Sequence, residues 1–313
     1  MATRDLAAGM MFLLQTTIGV LGNFSLLYHY LFLYFTGCRL RPTDLIVNNL
    51  IVANSLVLFS SGIYFTLTYF RWYHHLSDFG CRFFPYLRAV GRGVSIGTTC
   101  LLSVFQAITI SPMNSRWAEL KHKAPKYIVP TIFLYWILQM SVNVIYFMFM
   151  SSNLSDKNIR HRKCLGRCSA VRHDKSTSLL YAALIVSPDV VCSVLMLWAS
   201  GSMVVILYRH KQRVRHIPRT YITSQSSPGS RAIKTIFLLV STFVFFNTLS
   251  CIFRIILAIF NNPSGILTTF NSVLSLCFPT VSPFLLMSRD SSVSRLSFAW
   301  IRNVKSTMLM RNM

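Results

Sequence analysis

Seven long stretches of mostly apolar residues, separated by polar or basic segments, dominate the pattern of the chain. A helix needs about 20 mostly apolar residues to cross the hydrocarbon core of a bilayer. Period-2 alternation, which a membrane β-barrel requires, is absent. The pattern therefore predicts a single-domain (residues 1–313), all-α bundle of seven transmembrane helices. The predicted helices cover residues 8–35, 43–70, 82–110, 127–150, 178–208, 232–260 and 266–287.

The connecting segments are short except for two. Residues 151–177 form a predicted polar loop between helices 4 and 5. Residues 209–231 form a predicted basic loop between helices 5 and 6, and its second half, rich in Ser, Pro and Gly, is expected to be flexible. No internal repeat is visible, which disfavours a transporter built from repeated halves.

The distribution of Lys and Arg predicts the orientation. Seven spans place the two termini on opposite sides, and short cytosolic loops are usually enriched in basic residues. The basic turns 37–42 and 111–126 are therefore expected in the cytosol, with an extracellular N-terminus and a cytosolic C-terminus. The bias is shallow because loop 151–177 is itself basic. Asn153, a glycosylation acceptor in that loop, agrees with this orientation, although such a tripeptide often occurs by chance.

The chain has few charged residues, but most of them are basic. Only 12% of the residues are charged, about half the share in a soluble domain. The formal net charge of +23 raises nucleic acid as a partner. The basic residues lie mostly in loops between apolar spans, where they meet anionic lipid headgroups and a cytosolic protein, so we exclude nucleic-acid binding.

Several motifs resemble those of rhodopsin-like receptors. Helix 2 contains Asn49-Leu-Ile-Val-Ala53-Asn54, which is similar to the pattern Asn-Leu-x-x-Ala-Asp, with Asn54 in place of the acid. Helix 1 contains the expected Gly-Asn pair, Gly22-Asn23, and Trp136 fits the same scheme in helix 4.

A longer series of motifs is similar to the vomeronasal type-1 receptors, a family of pheromone receptors. The helix 3 segment 88–112 resembles that family's signature, and the resemblance extends over nearly the whole chain. The further matching motifs are Ser115-Arg116-Trp117-Ala-Glu119-Leu-Lys121, His173-Asp174-Lys175, Pro188-Asp189-Val, Tyr208-Arg-His210-Lys211-Gln, Phe278-Pro279-Thr-Val-Ser-Pro283-Phe and Met287-Ser-Arg289-Asp290.

The departures from rhodopsin-like receptors fit the narrower family. The end of helix 3 reads Val104-Phe105-Gln106 instead of Asp-Arg-Tyr, and the predicted helix 6 contains no proline. Helix 7 has Ser282-Pro283 where Asn-Pro is usual. The usual ionic lock and helix 6 toggle therefore cannot explain activation here.

The resemblance implies a chemosensory G-protein-coupled receptor in the plasma membrane of vomeronasal sensory neurons. It implies a small pheromone-like organic ligand and a heterotrimeric G protein of the inhibitory class. No catalytic set, cofactor motif or metal cluster is visible, so we expect neither an enzyme nor a cofactor. Two alternatives stay open: a bitter taste-type receptor, which is expected to lack the helix 3 signature, and a multi-pass transporter or channel, which predicts flux and more midplane charge.

A disulfide is implied by the resemblance, because the family bonds a cysteine at the top of helix 3 to the following outer loop. Cys81 precedes the predicted helix 3, and Cys168 lies near the end of that loop. Cys164 competes as the partner. A bond on the oxidising side of the membrane can persist.

Intramembrane charges are candidates for the ligand pocket because an unpaired charge is costly there. Arg92 lies eleven residues beyond Cys81, and Asp189 lies eleven residues into the predicted helix 5, so both are about 16 Å deep. We expect them to form a pair, which either serves folding alone or also contacts the ligand. Two further arginines are candidates: Arg88, one turn above Arg92, and Arg254 in helix 6. Each either binds an anionic group on the ligand or extends its side chain to the lipid headgroups.

Two further groups of residues complete the expectations. Asn23, Asn54, Ser282 and Pro283 are candidates for a polar relay that switches on activation, although passive packing explains them as well. The candidates for contact with the G protein are the basic residues Arg116, Lys121, Lys211, Arg213 and Arg215.

Overall fold

The structure, a computed structural model, describes a bundle of helices with one small sheet. The residues described are 3–36, 41–70, 78–111, 118–151, 162–165, 168–171, 175–215, 238, 240–250, 252–253, 256 and 265–289.

Seven helices follow one another along the described chain. They are α1 (Thr3–Phe35), α2 (Pro42–Tyr69), α3 (Asp78–Ile110), α4 (Ala118–Phe149), α5 (Lys175–Arg215), α6 (Val240–Ser250) and α7 (Gly265–Arg289). All except α6 are long and apolar enough to cross a membrane. The predicted all-α bundle of seven helices is confirmed by this arrangement, with α6 described over the central part of its predicted range.

The predicted turn 111–126 and the predicted loop 209–231 are wrong in part. The helices beside them continue beyond the apolar residues. α4 begins at Ala118 and not at 127, and α5 ends at Arg215 and not at 208. Apolar residues mark where a helix lies in lipid, but water can satisfy the backbone of a helix that continues beyond it. α5 has 41 residues and is therefore about 60 Å long, roughly twice the thickness of the hydrocarbon core.

The predicted loop between α4 and α5 contains an antiparallel sheet of three short strands. These are β1 (Met150–Ser151), β2 (Arg162–Leu165) and β3 (Cys168–Val171), in the order β1-β3-β2. The pairing places Cys164 opposite Ser169 and Leu165 opposite Cys168. β1 contacts α3, so the sheet lies against this helix.

α3 is the central helix of the bundle. It packs against α2, α4 and α5, and it is the most deeply buried of the membrane-length helices. α4 and α5 instead present most of their apolar side chains outward, where lipid is their solvent. The polar side chains of α3 therefore meet partners from three neighbouring helices inside the bundle.

Candidate functional site

The predicted pair between α3 and α5 is confirmed. The Arg92 Nη1 atom donates to the Asp189 Oδ2 atom across 2.6 Å, and only 16% and 5% of the two side chains are exposed. A charge-assisted hydrogen bond of this length neutralises both groups where water cannot. The pair joins the central helix to the long helix α5.

A cavity lies beside this pair and is walled by α2, α3, α6 and α7. The polar residues on its wall are Arg92, Ser95, Asn247, Ser250 and Ser275. Its apolar residues are Val57, Ile96, Phe243, Phe246, Leu274, Phe278 and Pro279. The lining, apolar with a few polar groups, is of the kind found in small-molecule sites, but the cavity volume is about 30 Å³, room for about two water molecules, so a larger ligand requires the walls to move apart.

The cavity differs from the predicted pocket in one respect. The pocket candidates Arg88, Arg92, Asp189 and Arg254 lie on predicted helices 3, 5 and 6, whereas the wall that the structure describes is formed by α2, α3, α6 and α7. α5 reaches the cavity indirectly, since Asp189 holds Arg92, and Ser193 accepts a bond of 3.4 Å from Asn247.

Asn54 connects the cavity wall to α7. Its Nδ2 atom donates to Ser282 Oγ at 2.9 Å, and its Oδ1 atom accepts from Ser95 Oγ at 2.7 Å. All three residues are buried. Hydrogen bonds therefore join Asn54 and Ser282, two of the relay candidates, to Ser95, which lines the cavity, while a role in activation stays a prediction.

Asn23 connects α1 to α7, and a proline in the sequence of α7 explains this contact. Proline has no N–H group, so Pro283 leaves the carbonyl of Pro279, four residues earlier, without its helical partner. The Asn23 Nδ2 atom donates to this carbonyl at 2.9 Å. A polar side chain from a neighbouring helix thus satisfies the backbone that a proline frees inside a membrane.

Gly22 permits the close approach that this bond needs. A Cβ atom at residue 22 would lie 2.9 Å from the Pro283 Cγ atom, which is too close for carbon atoms. The Gly22-Asn23 pair therefore acts as a unit: the glycine admits the ring of Pro283, and the asparagine binds the carbonyl that this ring leaves exposed.

A second polar network joins α2, α3 and α4. The Trp136 Nε1 atom donates to Asn49 Oδ1 at 2.8 Å, and Asn49 Nδ2 donates to Thr98 Oγ1 at 2.7 Å. Asn49 and Trp136 are two of the residues that carried the rhodopsin-like resemblance. The hydrogen bonds described for this network join three helices and do not reach α7.

Cys81 is disulfide-bonded and buried at the start of α3. Cys168 begins the central strand β3, next to β1, which contacts α3, whereas Cys164 lies on the far strand β2. The side chains of Cys164 and Cys168 lie outside the described part, so the identity of the partner stays a prediction.

Arg88 is not among the residues that line the described cavity, and it contacts Phe65 on α2. Its guanidinium carbon lies 5.4 Å from the centre of the Phe65 ring on α2, in cation–π geometry. The structure therefore does not bring Arg88 to the cavity that Arg92 lines.

The remaining predicted residues divide between described and undescribed parts. Lys121 is half-buried near the start of α4. The backbone of Lys211, Arg213 and Arg215 lies on the last turns of α5, while their side chains are outside the described part. Arg116, Asn153 and Arg254 are outside it altogether.

Sequence reasoning missed the serines and Asn247 on the cavity wall. A small hydroxyl residue in an apolar span gives no signal of its own, because its hydroxyl can bond to its own helix. The one usable signal was that Ser95 lies three residues beyond Arg92, close to the same face of α3.

Comparison with known proteins finds one family along nearly the whole chain. Residues 6–299 match the model of the vomeronasal organ pheromone receptor family. The chain is 52% identical to human vomeronasal type-1 receptor 4 over 302 residues, which are 96% of this chain and 100% of that receptor.

Two further relatives span a range of distance. Human vomeronasal type-1 receptor 2 is 52% identical over 91% of this chain and 72% of its own length. Rat vomeronasal type-1 receptor 90 is 31% identical over 91% of each chain. The similarity therefore covers the helices that form the cavity and the polar relay.

Proposed function

The chain belongs to the vomeronasal organ pheromone receptor family and is a chemosensory G-protein-coupled receptor, and we propose that a small organic ligand activates it from the cavity beside Arg92. One observation carries the proposal. Two wall residues of the cavity, Ser95 and Pro279, are also members of the polar relay that ends on α7. A ligand in the cavity therefore touches the relay directly.

The relay offers a route from ligand to conformational change. A ligand shifts an equilibrium only by binding one state better than the other. Ser95 donates to Asn54, and Asn54 donates to Ser282, so a ligand that re-orients the Ser95 hydroxyl alters what holds α7. This route replaces the ionic lock and the helix 6 proline that the sequence lacks.

The receptor is proposed to lie with its N-terminus outside and Met313 in the cytosol. The start of α4 and the end of α5 then project together from the inner face, because consecutive helices alternate in direction. Lys121 on α4 and Lys211, Arg213 and Arg215 on α5 form, with Arg116, the proposed contact with a G protein of the inhibitory class. The length of α5 supports this, since about half of it exceeds the bilayer core.

The opposite face is proposed to carry the extracellular features. Cys81 is bonded to Cys168, and Asn153 carries a glycan. Strand β1 of the sheet contacts α3, and Cys81 near the start of α3 is disulfide-bonded, which together support a sheet fixed over the bundle mouth. The proposed location is the plasma membrane of vomeronasal sensory neurons, with lipid around α4 and α5.

A ligand screen in cells with a G-protein readout tests the proposal. Active compounds are expected to lose potency when Ser95 is changed to Ala. The matched control is Ser103→Ala, since Ser103 is also buried on α3 but bonds only to its own helix. Equal losses in the two variants would contradict a cavity at Ser95.

A further inference from the structure

Two cysteine thiols meet inside the bundle and belong neither to the cavity nor to the polar relay. Cys100 on α3 is buried, Cys192 on α5 is half-buried, and neither is in a disulfide in the structure. A side-chain hydrogen bond joins the two thiols across the helices. Two thiols in contact on different helices have the arrangement from which a disulfide forms.

The packing of α3 against α5 repeats this contact two helical turns further on. Ala107 and Ala199 lie seven residues beyond Cys100 and Cys192, and the two alanines belong to one buried cluster. Seven residues make about two turns, so the same face of each helix returns. The small alanines let the two backbones approach closely. A disulfide requires such an approach, because its two Cα atoms usually lie about 4.4 to 6.8 Å apart.

A tyrosine of α4 reaches the same pair. The Tyr135 hydroxyl lies 3.9 Å from the Cys192 sulfur, within hydrogen-bond distance for sulfur. Gly97 admits this ring, since a Cβ atom at residue 97 would overlap it. Gln139 donates to the Tyr135 oxygen at 3.0 Å, which leaves the hydroxyl proton for the sulfur. Tyr135 therefore offers a proton to a group that leaves from the Cys192 sulfur.

From this geometry we propose that Cys100 and Cys192 form a redox-sensitive site, at which hydrogen peroxide joins α3 to α5 through a disulfide. The bond would hold α5 against α3 on the same two helices that the Arg92–Asp189 pair already connects. The proposal does not depend on the ligand or on the cavity, because it concerns the contact between these two helices alone.

The reaction has two steps, and hydrogen peroxide is the oxidant in the first. The Cys192 sulfur, the more exposed of the two, takes one oxygen of the peroxide to become a sulfenic acid, and the other oxygen leaves as water. The Cys100 sulfur then attacks the Cys192 sulfur, and the S–S bond forms as a second water leaves. The two thiols lose two protons and two electrons, and the peroxide gains both.

Peptide mapping by mass spectrometry tests for the bond directly. The purified full-length receptor in lipid vesicles is treated with hydrogen peroxide, the remaining thiols are blocked, and the peptides are mapped without reduction. We expect the peptide that joins Cys100 to Cys192 to become at least tenfold more abundant. Cys277 on α7 is the internal control for access, since it is also half-buried but bonds to Gln15 and to its own helix.

The unfolding temperature gives a second measurement. Peroxide should raise it by several degrees in the wild-type receptor, because a cross-link restricts the unfolded chain. Cys100→Ala and Cys192→Ala should each abolish the joined peptide and the rise, whereas Cys277→Ala should keep both. Should the first two variants fail to fold, the map of the wild-type receptor decides alone. No joined peptide at a peroxide concentration that oxidises Cys277, or a bond from either cysteine to Cys277, would overturn the proposal.

Discussion

Arg92 and Asp189 meet at 2.6 Å between α3 and α5, although 97 residues of sequence separate them. The two residues therefore join helices that the chain reaches before and after α4 and the β-sheet. Both charges are mostly shielded, so neither is stable there without the other.

Removing either partner should strand a buried charge. We expect Arg92→Ala and Asp189→Ala each to cost about 3 to 5 kcal/mol of folding free energy and to reduce surface expression. Exchanging the two residues should recover part of this loss, because the pair is restored with its polarity reversed. Recovery of expression without ligand response would show that the pair also contacts ligand. A swap no better than the worse single variant would contradict the pairing.

The relay should be separable from the network that fixes the bundle. Asn54 and Asn49 lie on the same helix, but only Asn54 bonds to α7. Asn54→Ala should lower the maximal ligand response while costing about 1 kcal/mol of stability. Asn49→Ala should cost as much stability and leave the maximal response intact. Surface expression and concentration–response curves are measured for both variants. Equal maximal responses in Asn54→Ala and Asn49→Ala would contradict a role of Asn54 in activation.

The disulfide partner of Cys81 is predicted to be Cys168. Loss of the bond should cost about 2 to 5 kcal/mol, so Cys81→Ser and Cys168→Ser should each lose surface expression, and Cys164→Ser should lose less. Peptide mapping of the unreduced receptor by mass spectrometry identifies the bond. A Cys81–Cys164 peptide would show that the assignment is wrong.

The helical extension of α5 should matter for coupling rather than for ligand binding. Changing Lys211, Arg213 and Arg215 together to Gln should weaken G-protein activation at unchanged ligand affinity. The matched control removes three charges at the opposite face of the bundle, from Arg162, Lys163 and Lys175. A parallel loss of binding and activation in the first variant would indicate misfolding instead.

The sequence predicted the helices better than their ends, and the polar pairs better than the cavity. Depth counting placed Arg92 opposite Asp189 because both distances run along regular helices. The ends of α4 and α5 were missed because a helix that leaves the membrane becomes polar without unwinding. The serines of the cavity wall were missed because only packing decides which hydroxyls turn toward a cavity and which stay on their own helix.

The contact between α1 and α7 could also be read in part from the sequence. Pro283 marks a free carbonyl four residues earlier, and Asn23 is a polar residue in an apolar span, but only the bundle brings the two together. Gly22 could be recognised in the sequence only as part of the Gly22-Asn23 pair. Its contact with the ring of Pro283 becomes visible only in the folded bundle.

The most direct test of the account is ligand-stimulated nucleotide exchange on an inhibitory-class G protein by the purified receptor in lipid vesicles, with solute and ion flux recorded in the same preparation. The account predicts that a small organic ligand that stabilises the receptor accelerates exchange, that Asn54→Ala reduces the acceleration, and that no flux accompanies it. Ligand-dependent flux without nucleotide exchange would contradict the account and identify the bundle as a transporter or channel.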